Sequence, residues 1–307
     1  MSAAPEKYLL SIVGPTASGK TSMAIELAKW LDTEIISADS RQFFKELEIG
    51  TAKPTPEELA QAPHHFVNHC QIDQRYDVGQ FEREVLEKLE ELYRVHKVVI
   101  MVGGSGLYCK AVWEGLDEFP EIDLSYREAL KNELNWHGLT PLLSELEKAD
   151  PEYYELVDRQ NPQRIIRALE VIRATQQTFT SFRAQKAPKI PRNFKNIKVG
   201  IEMPRDVLYA RIEHRMDLMI EAGLFDEARE MLPYRQYNAL QTVGYTEIFR
   251  HFDGEYDREE AVRLLKRNTR RFAKRQFTWF KRDPEIKWYH PDQIEMIKDD
   301  ILTALNT

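Results

Sequence analysis

The chain has 307 residues, 42% of them apolar, and a net charge of −7, which suits one large domain or two ordinary ones around a real core. No stretch approaches the roughly eighteen uninterrupted apolar residues of a membrane span, and the amino terminus has no apolar leader, so a soluble, cytoplasmic protein is expected. Cys70 and Cys109 are too few for a disulfide framework and read as free thiols.

Tyr8-Leu-Leu-Ser-Ile-Val13 reads as a buried strand. It runs into Gly14, Pro15, Thr16, Ala17, Ser18, Gly19, Lys20 and Thr21, a full match to G-x-x-x-x-G-K-S/T. Ala24, Leu27, Ala28 and Leu31 then recur at helical spacing over Ser22 to Leu31. Strand, glycine loop and helix start aim backbone N–H groups and a helix dipole at one point, where a di- or triphosphate can be held. Lys20 would reach the outer phosphate and the Thr21 hydroxyl would ligate Mg²⁺. Glu34 to Ala38 reads as a second strand. Asp39 at its carboxyl end would lie near the phosphate loop, which makes it the leading candidate for a catalytic carboxylate. A helix cap is its alternative role.

Residues 49 to 80 lack periodicity and read as a long functional loop. Its His64, His65, His69 and Cys70 lack the paired spacing of a zinc site. A helix marked by Phe81, Val85, Leu89 and Leu92 leads into the strand Lys97 to Val102. Where a nucleoside triphosphatase places a Mg²⁺-holding acid, this chain continues into Gly103-Gly-Ser-Gly106. From about Glu118, helix starts follow one another: a capping box at Ser125 and Glu128, then Thr140-Pro141, Asp150-Pro151 and Asn161-Pro162. In the last helix Ile165, Ile166, Leu169 and Ile172 form the buried face. A strand returns at Ile197 to Met203, and helices follow over 205–222, 224–232, 244–252 and 258–282, continuing to the end. The chain thus reads as α/β, a P-loop NTPase-like parallel sheet over 1–117 and 196–307 interrupted by an all-helical insertion over 118–195.

Charge is segregated within it. Ala261 to Arg282 carries nine basic residues and no acid, and Arg183 to Lys198 carries six and no acid, a pattern that marks polyanion sites on an acidic protein.

The phosphate loop, Asp39-Ser-Arg-Gln42, Ile49-Gly-Thr-Ala-Lys-Pro54, Gly103-Gly-Ser-Gly-Leu-Tyr108, Asn161-Pro-Gln-Arg-Ile-Ile-Arg-Ala-Leu-Glu170, Val243-Gly-Tyr245 and Arg275-Gln-Phe-Thr-Trp-Phe280, in this order, closely resemble the tRNA dimethylallyltransferase family. The resemblance implies transfer of a five-carbon prenyl group from dimethylallyl diphosphate to the exocyclic amine of the adenosine 3′ of a tRNA anticodon. It also implies a P-loop core with a channel, and a helical insertion that grips the anticodon stem. Carried over, Gly14 to Thr21 would hold the donor diphosphate with Mg²⁺, and Asp39 would be the general base. Ser105 stands where the family more often has threonine, so the hydroxyl is kept. Contacts to tRNA would come from Asp39, Ser40, Arg41 and Gln42, from Ser105 and Arg127, from Gln163, Arg164, Ile165, Ile166 and Arg167, and from Val243, Gly244 and Tyr245. Arg211 and Arg215 are both candidates for further diphosphate contacts, and the sequence does not choose between them. A monomer is expected.

A prenyltransferase of free adenine nucleotides would share the loop and Asp39 but has no use for a helical insertion with basic flanks. A small-molecule kinase fits the P-loop alone, and a non-catalytic RNA-binding module has no use for an intact Lys20, Thr21 and Asp39.

Overall fold

The computed structural model describes residues 6–117, 119–184 and 191–306. In chain order the first part holds β1 (Tyr8–Val13), α1 (Lys20–Leu31), β2 (Ile35–Ser37), α2 (Pro56–Leu59), β3 (His64–His65), α3 (Val78–Leu92), β4 (Val98–Gly103) and α4 (Gly106–Glu114). The middle holds α5 (Leu124–His137), α6 (Thr140–Ala149), α7 (Pro151–Leu156), α8 (Pro162–Thr175) and α9 (Phe179–Ala184). The last part holds β5 (Lys195–Ile201), α10 (Arg205–Glu221), α11 (Leu224–Glu230), α12 (Tyr245–Phe252), α13 (Arg258–Phe280), β6 (Lys287–Tyr289) and α14 (Ile294–Leu305).

The described strands form one sheet of order β3-β2-β4-β1-β5-β6, parallel at every pairing. β1 lies between β4 and β5, which explains why all six of its residues are buried. Its side chains alternate between two cores. Tyr8, Leu10 and Ile12 pack with Ala24, Leu27 and Ala28 of α1 and Ile297 and Ile301 of α14, whereas Leu9 and Val13 pack with Phe81, Val85 and Leu89 of α3 and Val112 of α4. The parallel register brings Val13, Gly103 and the Gly200–Ile201 end of β5 to one edge, the edge at which open α/β sheets bind ligands.

Two compact units result, 1–114 with 192–307, and 115–191. The edges lie three to four residues before the sequence-based boundaries. The return point is early because Arg192 is tied into the core: its guanidinium donates to the Val112 carbonyl at 2.9 Å, to the Ala111 carbonyl at 2.7 Å and to Glu82 at 2.5 Å.

The helical unit has its own core of Leu130, Leu142, Leu146, Tyr153, Ile165, Leu169 and Phe179. Asp150 and Asn161 cap α7 and α8 by accepting from Tyr153 N and Arg164 N. The other two expected caps move. Asp123, not Ser125, caps α5, and α6 begins at Thr140 after an uncapped Leu139. Arg173 of α8 ties α5 and α6 together through Glu133 and Glu145.

Two strands escape the periodicity. β3 has two residues and β6 three, too short for an alternating pattern to show, and both are edge strands. The histidines around β3 are hydrogen-bonded: His64 to the Ala62 carbonyl, His65 to Glu34 and His69 to Glu84. Both cysteines are free and buried. No described helix is long and apolar enough to cross a membrane.

Candidate active site

The phosphate loop takes its shape from backbone demands. Gly14 has φ 146°, and a Cβ there would lie 2.6 Å from the Ile201 carbonyl oxygen, so only glycine lets the chain turn between β1 and β5. Gly19, left-handed at φ 94°, immediately precedes α1, whose first residues are Lys20 and Thr21. The loop is held from α13: Thr16 N donates to Gln276 Oε1 at 2.8 Å, and Gln276 Nε2 donates to the Gly104 carbonyl at 3.0 Å. One buried amide thus joins both glycine loops.

Cations gather here. Arg215 of α10 donates to the Thr16 hydroxyl, and a Cβ on Gly19 would come within 3.8 Å of Arg211 Nη2. The structure places both arginines at the loop, Arg215 in direct contact with it. Lys20 donates one N–H to the Pro15 carbonyl at 2.6 Å, leaving two donors. Desolvation lowers the Lys20 pKa to about 8, with Arg215 pushing the same way and Asp39 opposing. Burial likewise lowers Arg215. Positive charges crowded in this way call for an anion.

Asp39 lines the same cavity, near enough to Lys20 and Arg215 to interact with both charges. Its Oδ1 accepts from Arg41 N at 3.1 Å, an Asx turn, while Oδ2 has no hydrogen-bond partner among the described residues. Turn, not helix, follows it, so the helix-cap role falls away. Ser105 Oγ accepts from Ser40 N at 3.0 Å and donates to Ser40 Oγ at 3.1 Å, which docks the second glycine loop onto the Asp39 segment. Gln42 turns away from the cavity, donating to the Ala52 carbonyl at 3.1 Å.

The cavity itself has a volume of about 350 Å³. Thr16, Arg215 and Gln276 line one part, and Asp39, Ser40, Arg41, Ser105, Gly50–Ala52, Val243 and Gly244 another. The rest of the lining is largely apolar, with Leu107, Tyr108, Ile212, Met216, Met219, Leu224, Phe272 and Trp279, alongside Thr242, Thr269 and Arg275. Gln276, Arg275 and Trp279 had a signal in the sequence, the motif from Arg275 to Phe280, but no assigned task. Ile212, Met216 and Phe272 had none, because nothing local separates a cavity-lining apolar residue from a core one.

Several expected RNA contacts do not survive the structure. Tyr245 is fully buried and its hydroxyl donates to Glu227, so its ring cannot touch RNA. Ile165 and Ile166 belong to the core of the helical unit. Gln163 and Arg164 of the same segment are exposed. Arg127 and Arg167 both pair with the buried carboxylate of Glu170. Within the basic stretch 183–198, Arg183 is exposed but Arg192 and Lys198 are internal, with Lys198 bonded to Asp283 at 2.8 Å and Glu285 at 2.7 Å, and Lys195 is paired with Glu6. Lys186 and Lys189 lie outside the described residues. On α13, Arg263, Lys266 and Arg270 are paired with Glu260, Asp217 and Glu213, whereas Arg271, Lys274 and Arg275 are exposed and have no ion-pair partner among the described residues.

Comparison with known proteins agrees with this geometry. A family model described as IPP transferase matches residues 42–283. The tRNA dimethylallyltransferase of Christiangramia forsetii is 53% identical over 98% of this chain and 99% of its own length. That of Cytophaga hutchinsonii is 53% identical over 95% of each chain. The structure of the full-length tRNA isopentenylpyrophosphate transferase from Bacillus halodurans superposes with a TM-score of 0.72 at 35% identity, covering 98% of this chain and 97% of that one. A eukaryotic dimethylallyltransferase acting on tRNA shares the fold at a TM-score of 0.75 and 23% identity, covering 93% of this chain and 74% of that one. With its phosphate loop, its facing carboxylate and full-length similarity of this degree, the chain belongs to the tRNA dimethylallyltransferase (IPP transferase) family.

Proposed function

We propose that the protein transfers a dimethylallyl group from dimethylallyl diphosphate to the N6 amine of the adenosine 3′ of the anticodon in tRNA. The observation that carries this is one cavity that brings together a phosphate loop with its cations, a carboxylate with a free oxygen and a largely apolar lining.

In the reaction, the N6 nitrogen attacks C1 of the prenyl chain as the C1–O bond breaks and diphosphate leaves. Loop amides, Lys20 and Arg215 stabilise the charge that grows on the leaving oxygens. The proton lost from N6 passes to Asp39 Oδ2, since a weakly basic aryl amine must shed it as the new bond forms. Leu107, Met216, Met219, Phe272 and Trp279 keep water from the cation-like carbon. The adenine must leave its stack to enter, and the exposed Arg271, Lys274 and Arg275, with Gln163 and Arg164 of the helical unit, are proposed to meet the RNA backbone.

The donor set fits Mg²⁺ arriving with the diphosphate. The Thr21 hydroxyl has no hydrogen-bond partner among the described residues, which also hold no cluster of three or more His, Cys, Asp or Glu that could cage a metal. Such a site, one hydroxyl completed by phosphate oxygens and water, suits Mg²⁺, which would add charge neutralisation of the leaving group.

The test is a pair of parallel reactions with unmodified tRNA, one given dimethylallyl diphosphate and one ATP. Diphosphate release that requires tRNA, with no ATP turnover, is expected. ATP hydrolysis or phosphoryl transfer in the absence of prenylated product would overturn the proposal.

A further inference from the structure

Between the end of β2 and α2 the chain makes a short turn, Ile49–Thr51, whose Gly50, Thr51 and Ala52 form part of the cavity wall beside Asp39. Within the turn, the Thr51 hydroxyl donates to the Leu47 carbonyl at 2.8 Å and Ile49 packs on the core, but neither holds the backbone amides of residues 48–50. Glu227 of α11, nearly 180 residues away, supplies the anchor. Its Oε2 accepts from Glu48 N at 2.9 Å and Ile49 N at 2.7 Å, and its Oε1 accepts from Gly50 N at 2.9 Å and the Tyr245 hydroxyl at 2.6 Å. Three consecutive amides converge on one half-buried carboxylate, a charge-assisted arrangement about twice as strong per bond as neutral pairs.

Tyr245 closes the anchor from beneath. A Cβ on Gly50 would lie 2.5 Å from the ring and hydroxyl of Tyr245, so glycine lets the turn rest directly on the tyrosine. The other side of the turn reaches the base. The Thr51 and Ala52 carbonyls accept from Gln42 Nε2, Gln42 Oε1 accepts from Ser37 Oγ at 3.2 Å, and Ser37 Oγ accepts from Asp39 N at 3.4 Å. Hydrogen bonds on either side of the turn, joined through its backbone, thus link Glu227 to the backbone of Asp39.

We infer that Glu227, with Tyr245, is the positioning residue of the acceptor side of the cavity, holding the 48–52 turn and through it Asp39 in register for the incoming adenine. Neither touches the phosphate loop through a hydrogen bond, so loss of the anchor acts on RNA and not on the diphosphate donor. This rests on the transfer reaction proposed above.

The experiment compares wild type, Glu227→Gln and Tyr245→Phe in the full chain. It reads amide hydrogen exchange at residues 48–50, KM for unmodified tRNA, KM for dimethylallyl diphosphate, and Tm. For Glu227→Gln, faster exchange at 48–50 and a roughly ten- to hundredfold lower kcat/KM for tRNA are expected, with donor KM within about twofold. Tyr245→Phe, which keeps the packing and loses one bond, should move the same readouts by about three- to tenfold. A merely structural Glu227 would lower Tm and the active fraction while leaving both KM values alone. That result, or unchanged exchange at 48–50 in both variants, would overturn the inference. Should the wild type transfer nothing to tRNA, the proposed reaction fails, while exchange at 48–50 still decides whether Glu227 sets the turn.

Discussion

The two sides of the cavity are built by opposite strategies. The donor side is contiguous: eight residues, Gly14 to Thr21, form the loop, and only Arg211, Arg215 and Gln276 come from elsewhere. The acceptor side is a mosaic in which Asp39, the 48–52 turn, Ser105, Glu227 and Gly244 are brought together from five places in the chain. The difference follows from what each must recognise. A diphosphate is a compact anion that a helix start and a glycine loop bind in almost any setting. An adenine on RNA offers one nitrogen at one angle, which requires a wall assembled across the fold.

If the two sides are separable, variants should fail in different ways. The largest effect belongs to Asp39→Asn, which keeps size and the Asx turn but takes up no proton. Single-turnover transfer should slow by about a hundred- to ten-thousandfold with donor affinity and Tm near normal. Unslowed turnover with lost stability would make Asp39 structural. Next comes Lys20→Met, which should cost about a hundred- to a thousandfold in kcat and weaken donor binding while leaving tRNA affinity unchanged. It also carries a pH signature. In the unfolded chain Lys20 keeps its proton up to its ordinary 10.5, whereas folded it loses it near 8, so its burial costs stability in full below pH 8 and the cost fades between 8 and 10.5. Lys20→Met should therefore stabilise the ligand-free protein at pH 7, by on the order of 1 kcal/mol, and flatten the rise in stability across that window. Thermal unfolding between pH 7 and 10 checks it. The smallest effect is on RNA affinity: Arg271→Ala or Lys274→Ala should each reduce the slope of log affinity against log salt by about one unit. The internal Lys198, as Lys198→Met, should leave the slope alone and lower Tm instead.

The same contrast explains what could be read from sequence. β1, the phosphate loop, α1 and Asp39 at the end of β2 were legible because strand periodicity, glycine spacing and strand-end position are all local signals. The helical unit announced itself through Asp150-Pro151 and Asn161-Pro162. Glu227 left no trace, since a glutamate on an amphipathic helix looks the same whether it faces solvent or three amides. Composition misled at 183–198: Lys198 and Arg192 count as a basic patch in one dimension but are neutralised by Asp283, Glu285 and Glu82 in three. The Ile49 to Pro54 motif was legible as a motif only. Its Lys53 turns inward to donate to the Phe44 carbonyl at 2.7 Å, a structural role that pattern alone does not separate from a phosphate contact.

The most direct measurement is the fate of one nucleoside. Unmodified tRNA incubated with the protein, Mg²⁺ and dimethylallyl diphosphate is digested and its nucleosides resolved by mass spectrometry. The expected result is one adenosine, 3′ of the anticodon, carrying a single five-carbon group on N6, matched by one diphosphate released, and no such product with Asp39→Asn on the same timescale. Unaltered tRNA, or equal labelling of free adenine nucleotides, would contradict it.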